Sequence, residues 1–221
     1  MKPYFDDGLV TLYHGDCLEV SEWLSADVLV TDPPYGMAYK SNMDKGNRTN
    51  WHDKIAGDDS TVLRDEALSM WGIDRASVVF GTWRVARPSQ TKQLVIWDKS
   101  PCGFMGDTSL PFGPTHEDIY LFGKTGWAGS REPSIINVPM LMSGDARRPD
   151  HPTPKPVVLM EKLISKTVGV VADPFAGSGA TLIAARNLGR KVIGVELEEK
   201  YCELIANRLS QQVFDFGSLE A

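Results

Sequence analysis

The sequence predicts an α/β fold built on a mostly parallel sheet, and three observations carry that prediction. Asp27-Val28-Leu29-Val30-Thr31 is an apolar run without polar alternation, the pattern of a parallel strand buried on both faces. Residues 168–172, 173–179, 180–188 and 191–195 read in turn as strand, glycine loop, helix and strand, a right-handed βαβ unit. With 221 residues, 42% of them hydrophobic and 24% charged, the chain can bury roughly 70% of its unfolded surface, enough for one domain with a real core.

Composition narrows the function classes. Cys17, Cys102 and Cys202 are odd in number, far apart and in no CxxC pairing, which argues against a disulfide framework or a metal site and fits a reducing cytoplasm. No apolar run approaches the length of a membrane span, and Met1-Lys2-Pro3-Tyr4 does not lead into a signal segment. A net charge of −6 counts mildly against a nucleic-acid partner, so any such contact must rest on local charge.

Taken in order, residues 10–13 form a short strand ending in His14-Gly15-Asp16, and Leu18, Trp23 and Leu24 mark one side of a short helix. The strand at 27–31 ends in Asp32-Pro33-Pro34-Tyr35. Ligands of parallel sheets lie at the strands' carboxyl ends, so this tetrapeptide should face one. The Asp32 carboxylate accepts hydrogen bonds, and the two prolines stiffen the turn while adding no N–H donors of their own. A rigid pair of acceptors suits a planar amino group with two N–H bonds, and the Tyr35 ring suits stacking on a base. The implied substrate is an exocyclic amine on a nucleobase.

Residues 36–59 have no apolar period and read as a long functional loop. Tyr39, Lys40, Lys45, Arg48, Trp51 and Lys54 give this loop the cations and aromatics of a nucleic-acid-facing segment, although a solvated loop is the plainer reading. Ser60 can cap a helix to about Trp71; strands follow at 77–80, 94–97 and 117–122, the last two pairing as an antiparallel hairpin at the sheet edge. Residues 124–150 show little period, and Arg131, Arg147 and Arg148 there are offset by Glu132, Asp145 and Asp150. His151-Pro152-Thr153-Pro154-Lys155-Pro156 opens a helix with Val157, Val158, Leu159, Leu163 and Ile164 on its apolar face. A final helix runs from Glu198 to about Gln211.

The glycine loop Asp173-Pro174-Phe175-Ala176-Gly177-Ser178-Gly179, with Glu196 ending the next strand, is a nucleoside-binding arrangement: glycines admit the ligand and the acid takes ribose hydroxyls. The third glycine of a dinucleotide fingerprint is replaced by Leu182, and the loop starts with an acid that a pyrophosphate would not favour. A ligand carrying an ammonium group, such as the methionine part of S-adenosylmethionine, would gain from Asp173. No Lys-Ser/Thr follows Gly179, which excludes a Walker loop. Asp173 as a mere helix cap and Glu196 as a solvated strand end form the bland alternative.

With both stretches in hand, the chain resembles the amino-methyltransferases of DNA. Their catalytic motif Asp/Asn/Ser-Pro-Pro-Tyr/Phe is matched by Asp32 to Tyr35, and their cofactor loop Asp-Pro-Phe-x-Gly-x-Gly by Asp173 to Gly179. The catalytic motif comes first, an order similar to the circularly permuted β class. The resemblance covers nearly the whole chain. It implies a Rossmann-like S-adenosylmethionine-dependent methyltransferase fold with seven strands, mostly parallel, and an antiparallel edge hairpin. By the same resemblance Asp173 and Phe175 meet the methionine end, Gly177, Ser178 and Gly179 allow close approach, Glu196 holds the ribose, and Asp16 with Cys17 holds the cofactor adenine. Thr153 and Lys155 would assist at the methionine carboxylate.

Asp32 and the Pro33 carbonyl would then accept the two amino hydrogens of a flipped-out base. Asp at the first position favours adenine-N6 over the cytosine-N4 amine, where Ser is more frequent. Ring-carbon methylation needs a cysteine nucleophile, and Pro101-Cys102 lies away from the strand end carrying Asp32. An RNA amino-methyltransferase, an NAD oxidoreductase and a non-enzymatic binding module are the remaining alternatives. Relatives usually insert a target-recognition domain between the edge hairpin and the His-Pro motif, and 124–150 is too short for one. A single catalytic domain is therefore expected, with 36–59 and 124–150 as DNA-facing loops and a homodimer as the way to supply the missing surface.

Overall fold

A computed structural model describes residues 1–37, 56–101, 109–142, 144–145 and 147–215. The loop residues Tyr39 to Lys54 and Cys102 fall outside the described residues. The described strands are β1 (Phe5–Asp6), β2 (Val10–His14), β3 (Val28–Thr31), β4 (Ser77–Gly81), β5 (Gln93–Asp98), β6 (His116–Phe122), β7 (Ile135–Asn137), β8 (Val171–Asp173) and β9 (Val192–Glu196). A 3₁₀ turn spans Glu22–Ser25, and the helices are α1 (Val62–Trp71), α2 (Val157–Ile164), α3 (Ala180–Asn187) and α4 (Glu199–Asp215).

One sheet runs in the order β1-β2-β9-β8-β3-β4-β6-β5-β7. From β2 to β4 every pairing is parallel, β6 runs antiparallel to both β4 and β5, and β5 is parallel to β7. The expected seven strands are present from β2 to β5, and two short ones extend the sheet: β1 pairs antiparallel to β2, and β7 covers the hairpin expected to form the edge. Neither addition has a run long enough to show a period of two.

Two apolar layers sandwich the sheet. On one face α2, α3 and α4 bring Leu159, Leu163, Ile183, Ile205 and Leu209 against Val28, Val30, Val78 and Phe80. On the other, the 3₁₀ turn and α1 bring Trp23, Leu68 and Trp71 against Leu29, Val79, Ala172 and Val195. Alternate residues of β3 thus serve opposite layers, which is why its sequence shows no polar alternation. Every residue of β3 is buried.

Local differences from the sequence reading have physical causes. The strand expected at 168–172 starts only at Val171, because Gly169 takes a left-handed φ of 88° and the Val170 N–H donates to the Asp27 carboxylate. Thr61, not Ser60, is the N-cap of α1 and makes no side-chain cap bond, while the Val62 N–H reaches Ser60 Oγ at 3.4 Å. Val158, expected on the apolar face of α2, is exposed, and Met160 is buried instead. Of the short helix expected with Leu18, Trp23 and Leu24, the 3₁₀ turn takes in Trp23 and Leu24 but not Leu18, and the Trp23 indole donates to the Cys17 carbonyl at 2.9 Å.

Candidate active site at the strand ends

Parallel strands place their carboxyl ends along one rim, and here that rim carries Asp16 just past β2, Glu196 on β9, Asp173 on β8 and Asp32 just past β3. Because β6 is reversed, its first residues, including Glu117, reach the same rim, as does Lys99 just past β5. Strands β8 and β3 are neighbours in space although 142 residues separate Asp173 from Thr31, whose hydroxyl donates to Asp173 Oδ1 at 2.7 Å. The chain leaves β8 toward β9 and β3 toward β4, in opposite directions across the sheet, so the crevice between them is a topological switch point where ligands of such sheets bind.

On the β3 side, Asp32 is held by both of its oxygens. Tyr35 donates its hydroxyl to Oδ1 at 2.8 Å, and the Lys155 ammonium lies 2.5 Å from Oδ2. Glu117 joins them: its Oε2 lies 3.2 Å from the Tyr35 hydroxyl and 3.3 Å from Lys155 Nζ, and its Oε1 accepts from Lys99 at 3.1 Å. Lys155 also faces the Phe80 ring, 5.1 Å from its centre. Burial pushes the Asp32 carboxyl up; Lys155 opposes that shift and the Glu117 charge adds to it. Burial would lower Lys155, but the two carboxylates outweigh it and hold the ammonium protonated. Glu117 sits below the usual carboxylate range, because Lys155 and Lys99 outweigh its burial. The Tyr35 hydroxyl is pushed far up by burial and by Asp32 and Glu117, so it acts as a donor.

On the β8 side, the glycine loop crosses the end of β9. The Ala176 N–H donates to the Val195 carbonyl at 2.9 Å, and the Gly177 N–H to Glu196 Oε2 at 2.7 Å. Glu196 Oε1 accepts from the Glu198 N–H at 2.8 Å, and its carbonyl takes the Gly15 N–H at 2.9 Å. Burial pushes Glu196 up to about 7 and Asp173 up to about 6. Gly177 has φ 51° and lies beside His151, and Gly179, the N-cap of α3, has φ 80° and lies against Ile205. Ser178 is buried and its carbonyl is held by Arg208, while Phe175 packs against the layer of Trp23 and Trp71.

Asp16 braces its own turn, with Oδ1 accepting from the Leu18 N–H at 2.8 Å. Burial pushes the Cys17 thiol up to about 12, which removes it as a nucleophile. Thr153 is exposed, and its N–H reaches His151 Nδ1 at 3.3 Å. His151 is tilted on the Tyr201 ring at 4.7 Å, and its pKa is lowered to about 3 by burial and then by Lys155, so it stays neutral.

The structure therefore brings together Asp32, Tyr35 and Lys155 in one cluster, and Asp173, Gly177, Gly179 and Glu196 in another across the β3–β8 crevice. The ammonium of Lys155, the residue expected at the methionine carboxylate, lies between Asp32 and Glu117. In the sequence, Glu117 reads only as a strand residue and Lys99 only as a turn residue. The available signal is two consecutive acids, Glu117 and Asp118, opening a strand that is otherwise apolar.

The DNA-facing segment expected at 124–150 divides in two. Its start lies at the opposite end of the sheet, where Thr125 bridges Arg75 and Trp127 bridges Thr167. Its return past β7 reaches the rim, but Arg148 is spent on the carbonyls of Leu141 and Pro152, and Arg147 on Asp145.

The raised pKa of Glu196 has a measurable consequence. Its folded value of about 7 lies above its ordinary 4.5, so its contribution to stability is full below 4.5 and is lost as pH rises through 7. Glu196→Gln is expected to gain stability relative to the parent between pH 5 and pH 8. Paired thermal melts at the two pH values measure this, and a constant difference refutes it.

The sequence profile of the N6/N4 methylase family, described as DNA methylase, matches residues 26–208. M2.LlaDCHI, a Type II methyltransferase of Lactococcus lactis subsp. cremoris, is 41% identical over 253 residues, covering 95% of this chain and 93% of that protein. The PvuII DNA methyltransferase, cytosine-N4-specific, shares the fold with a TM-score of 0.68 at 18% identity, over 93% of this chain and 88% of that one. TTHA0409 of Thermus thermophilus, solved in complex with S-adenosyl-L-methionine, gives a TM-score of 0.56 at 25% identity, over 91% and 93% of the two chains. The profile match takes in both the Asp32 tetrapeptide and the Asp173 loop, and the chain belongs to the N6/N4 DNA methylase family: it is a DNA methyltransferase.

Proposed function

We propose that the protein transfers a methyl group from S-adenosylmethionine to the N6 amine of adenine in DNA, as a single catalytic domain. The observation that carries this reading is the Asp32 carboxylate at the end of β3, clamped by Tyr35 and Lys155 directly across the crevice from the glycine loop. Asp rather than Ser at this position favours adenine.

The residues around the loop fit the cofactor. Gly177 and Gly179 hold left-handed φ angles that a side chain would strain, and a Cβ at Gly179 would meet Ile205 at 2.7 Å, so the tight turn of the loop that would carry the ligand depends on glycine at both positions. Asp173 and Glu196 are buried carboxylates whose raised pKa values fall when a cation or a pair of hydroxyls is offered to them. Asp173 and Phe175 would hold the methionine end, Glu196 the ribose hydroxyls, and Asp16 with Cys17 the adenine. When bound, S-adenosylmethionine supplies an electrophilic methyl group on its sulfonium.

The chain's own residues do the rest. Extruding the base from the duplex costs a few kcal/mol, of which stacking on Tyr35 recovers about 1–3 kcal/mol. The Tyr35 hydroxyl, fixed by two carboxylates, sets the plane of that ring. Asp32 accepts one amine N–H on a lone pair left free by Lys155 and Tyr35, and the Pro33 carbonyl accepts the other. The amine nitrogen is thereby drawn toward tetrahedral geometry with its lone pair facing the donor side of the crevice.

Incubation with labelled S-adenosylmethionine and plasmid DNA, followed by nucleoside identification, tests the proposal. Label in N6-methyldeoxyadenosine of the DNA digest is expected. Label in N4-methyldeoxycytidine, the second reading favoured by the fold shared with the PvuII enzyme, replaces the adenine assignment. Among the described residues the segment between β6 and α2 holds only β7, so a second subunit is the proposed source of further DNA-reading surface. A monomeric mass by light scattering at the concentrations where the enzyme works would count against that dimer.

A further inference from the structure

Methyl transfer to an amine places a demand on Asp32 that its own strand does not meet. The carboxylate must be ionised to accept an amine hydrogen, and it must hold one orientation while partly buried, with 23% of its side-chain area exposed. Burial works against the first requirement and a free χ2 torsion against the second.

Glu117 bears on both, its charge opposing the first and its contacts serving the second. It belongs to the reversed strand β6, far from either motif, yet its Oε2 touches the two groups that hold Asp32: the Tyr35 hydroxyl at 3.2 Å and Lys155 Nζ at 3.3 Å. Asp32, Lys155, Glu117 and Tyr35 thus close a four-membered ring of hydrogen bonds and ion pairs. Lys99 balances the second Glu117 oxygen at 3.1 Å, so the two carboxylates face two ammonium groups. Of the other titratable groups nearby, Asp118 on the same strand faces the other way and takes the Tyr120 hydroxyl, His116 is exposed, the buried Asp173 carboxyl on β8 repels Asp32 from across the crevice, and His151, beside Lys155, stays neutral. From the end of β4, the neighbouring strand, the Thr82 carbonyl also takes Tyr120.

Resting on the proposed reaction, we propose that Glu117 is a positioning residue of the methyl-transfer centre: acting through Lys155 and Tyr35, it fixes the orientation of Asp32 and sets the pH at which Asp32 is ionised.

The links act on Asp32 with opposite sign. The Glu117 charge disfavours ionised Asp32, whereas the hydrogen bond from Tyr35 favours it. Glu117→Gln removes the repulsion and leaves Lys155 to Asp32 alone, so the acid limb of the rate profile should move to lower pH. Tyr35→Phe keeps the stacking ring and removes the hydroxyl, so the acid limb should move to higher pH. Misorientation should cost the Glu117→Gln enzyme up to about 100-fold in rate.

The experiment is single-turnover methylation of plasmid DNA between pH 5 and pH 9 by the full chain and both variants. Equilibrium dialysis with S-adenosylmethionine and a thermal melt accompany it as checks on folding. Opposite shifts of the acid limb with unchanged cofactor binding are expected. A uniform fall at every pH, or shifts in the same direction, overturns the inference, as does a Glu117→Gln profile identical to the parent's. If the parent chain itself puts no methyl on DNA, the proposed function fails, and that outcome is distinct from an active parent whose variants do not shift.

Discussion

Asp32→Ala is expected to abolish methyl transfer while leaving S-adenosylmethionine binding nearly intact. In the proposed reaction the removed carboxylate accepts an amine hydrogen and faces the positive charge that develops on the nitrogen, and loss of one preorganised partner of this kind costs about 100- to 1,000-fold in rate. Cofactor binding should survive because Asp32 lies just past β3, whereas the glycine loop and Glu196 are held by β8, β9 and α3. The hydrogen bond that crosses between the two sides, from Thr31 to Asp173, is left in place by the substitution. Asp32→Asn separates charge from shape: it keeps one carbonyl acceptor but loses the ion pair with Lys155, so it should fall between the parent and alanine. Label incorporation into DNA and equilibrium dialysis check the two halves of the expectation. Retained turnover in the alanine variant would remove Asp32 from its role.

Gly179→Ala should produce the converse result, a loss that begins with the cofactor. At φ 80° an L side chain is strained, and an added Cβ would lie 2.7 Å from Ile205 Cγ1 on α4. Strain and overpacking together cost about 2–4 kcal/mol. Since Gly179 is the N-cap of α3, the strain falls on the turn that sets Gly177 against Glu196. Dialysis should show weakened S-adenosylmethionine binding, and calorimetry a lowered melting temperature. An unchanged affinity would show that the loop's backbone does not approach the ligand.

Both predictions use residues that can be read directly from the sequence, because each sits in a short stretch where local chemistry decides the structure. Asp32 ends an uninterrupted apolar run, and Gly179 sits between a strand and a helix with clear periods. Glu117 cannot be read this way. Its partners Tyr35 and Lys155 come from distant parts of the chain, and they meet only because β6 is reversed beside β4. Lys155 is picked out by its motif, but its contact with Asp32 is illegible for the same reason: the motif opens the helix before the cofactor strand, and the long side chain reaches across to Asp32 at the end of β3. The strand Ile135–Asn137 leaves no trace in the sequence because three residues paired only to β5 carry no periodic signal.

The shortness of β1 and β7 has a consequence for assembly. A sheet's outer strands expose unpaired backbone groups that can recruit another chain edge to edge, and very short outer strands limit that hazard. Among the described residues the sheet ends in a strand of two residues on one side and of three on the other. So few exposed amides and carbonyls give little purchase for a continuous intermolecular ladder. Two copies of this protein that come together on DNA should therefore meet through side chains of helices and loops. Such a contact can be tuned or broken by point substitution without disturbing the sheet that holds the catalytic rim.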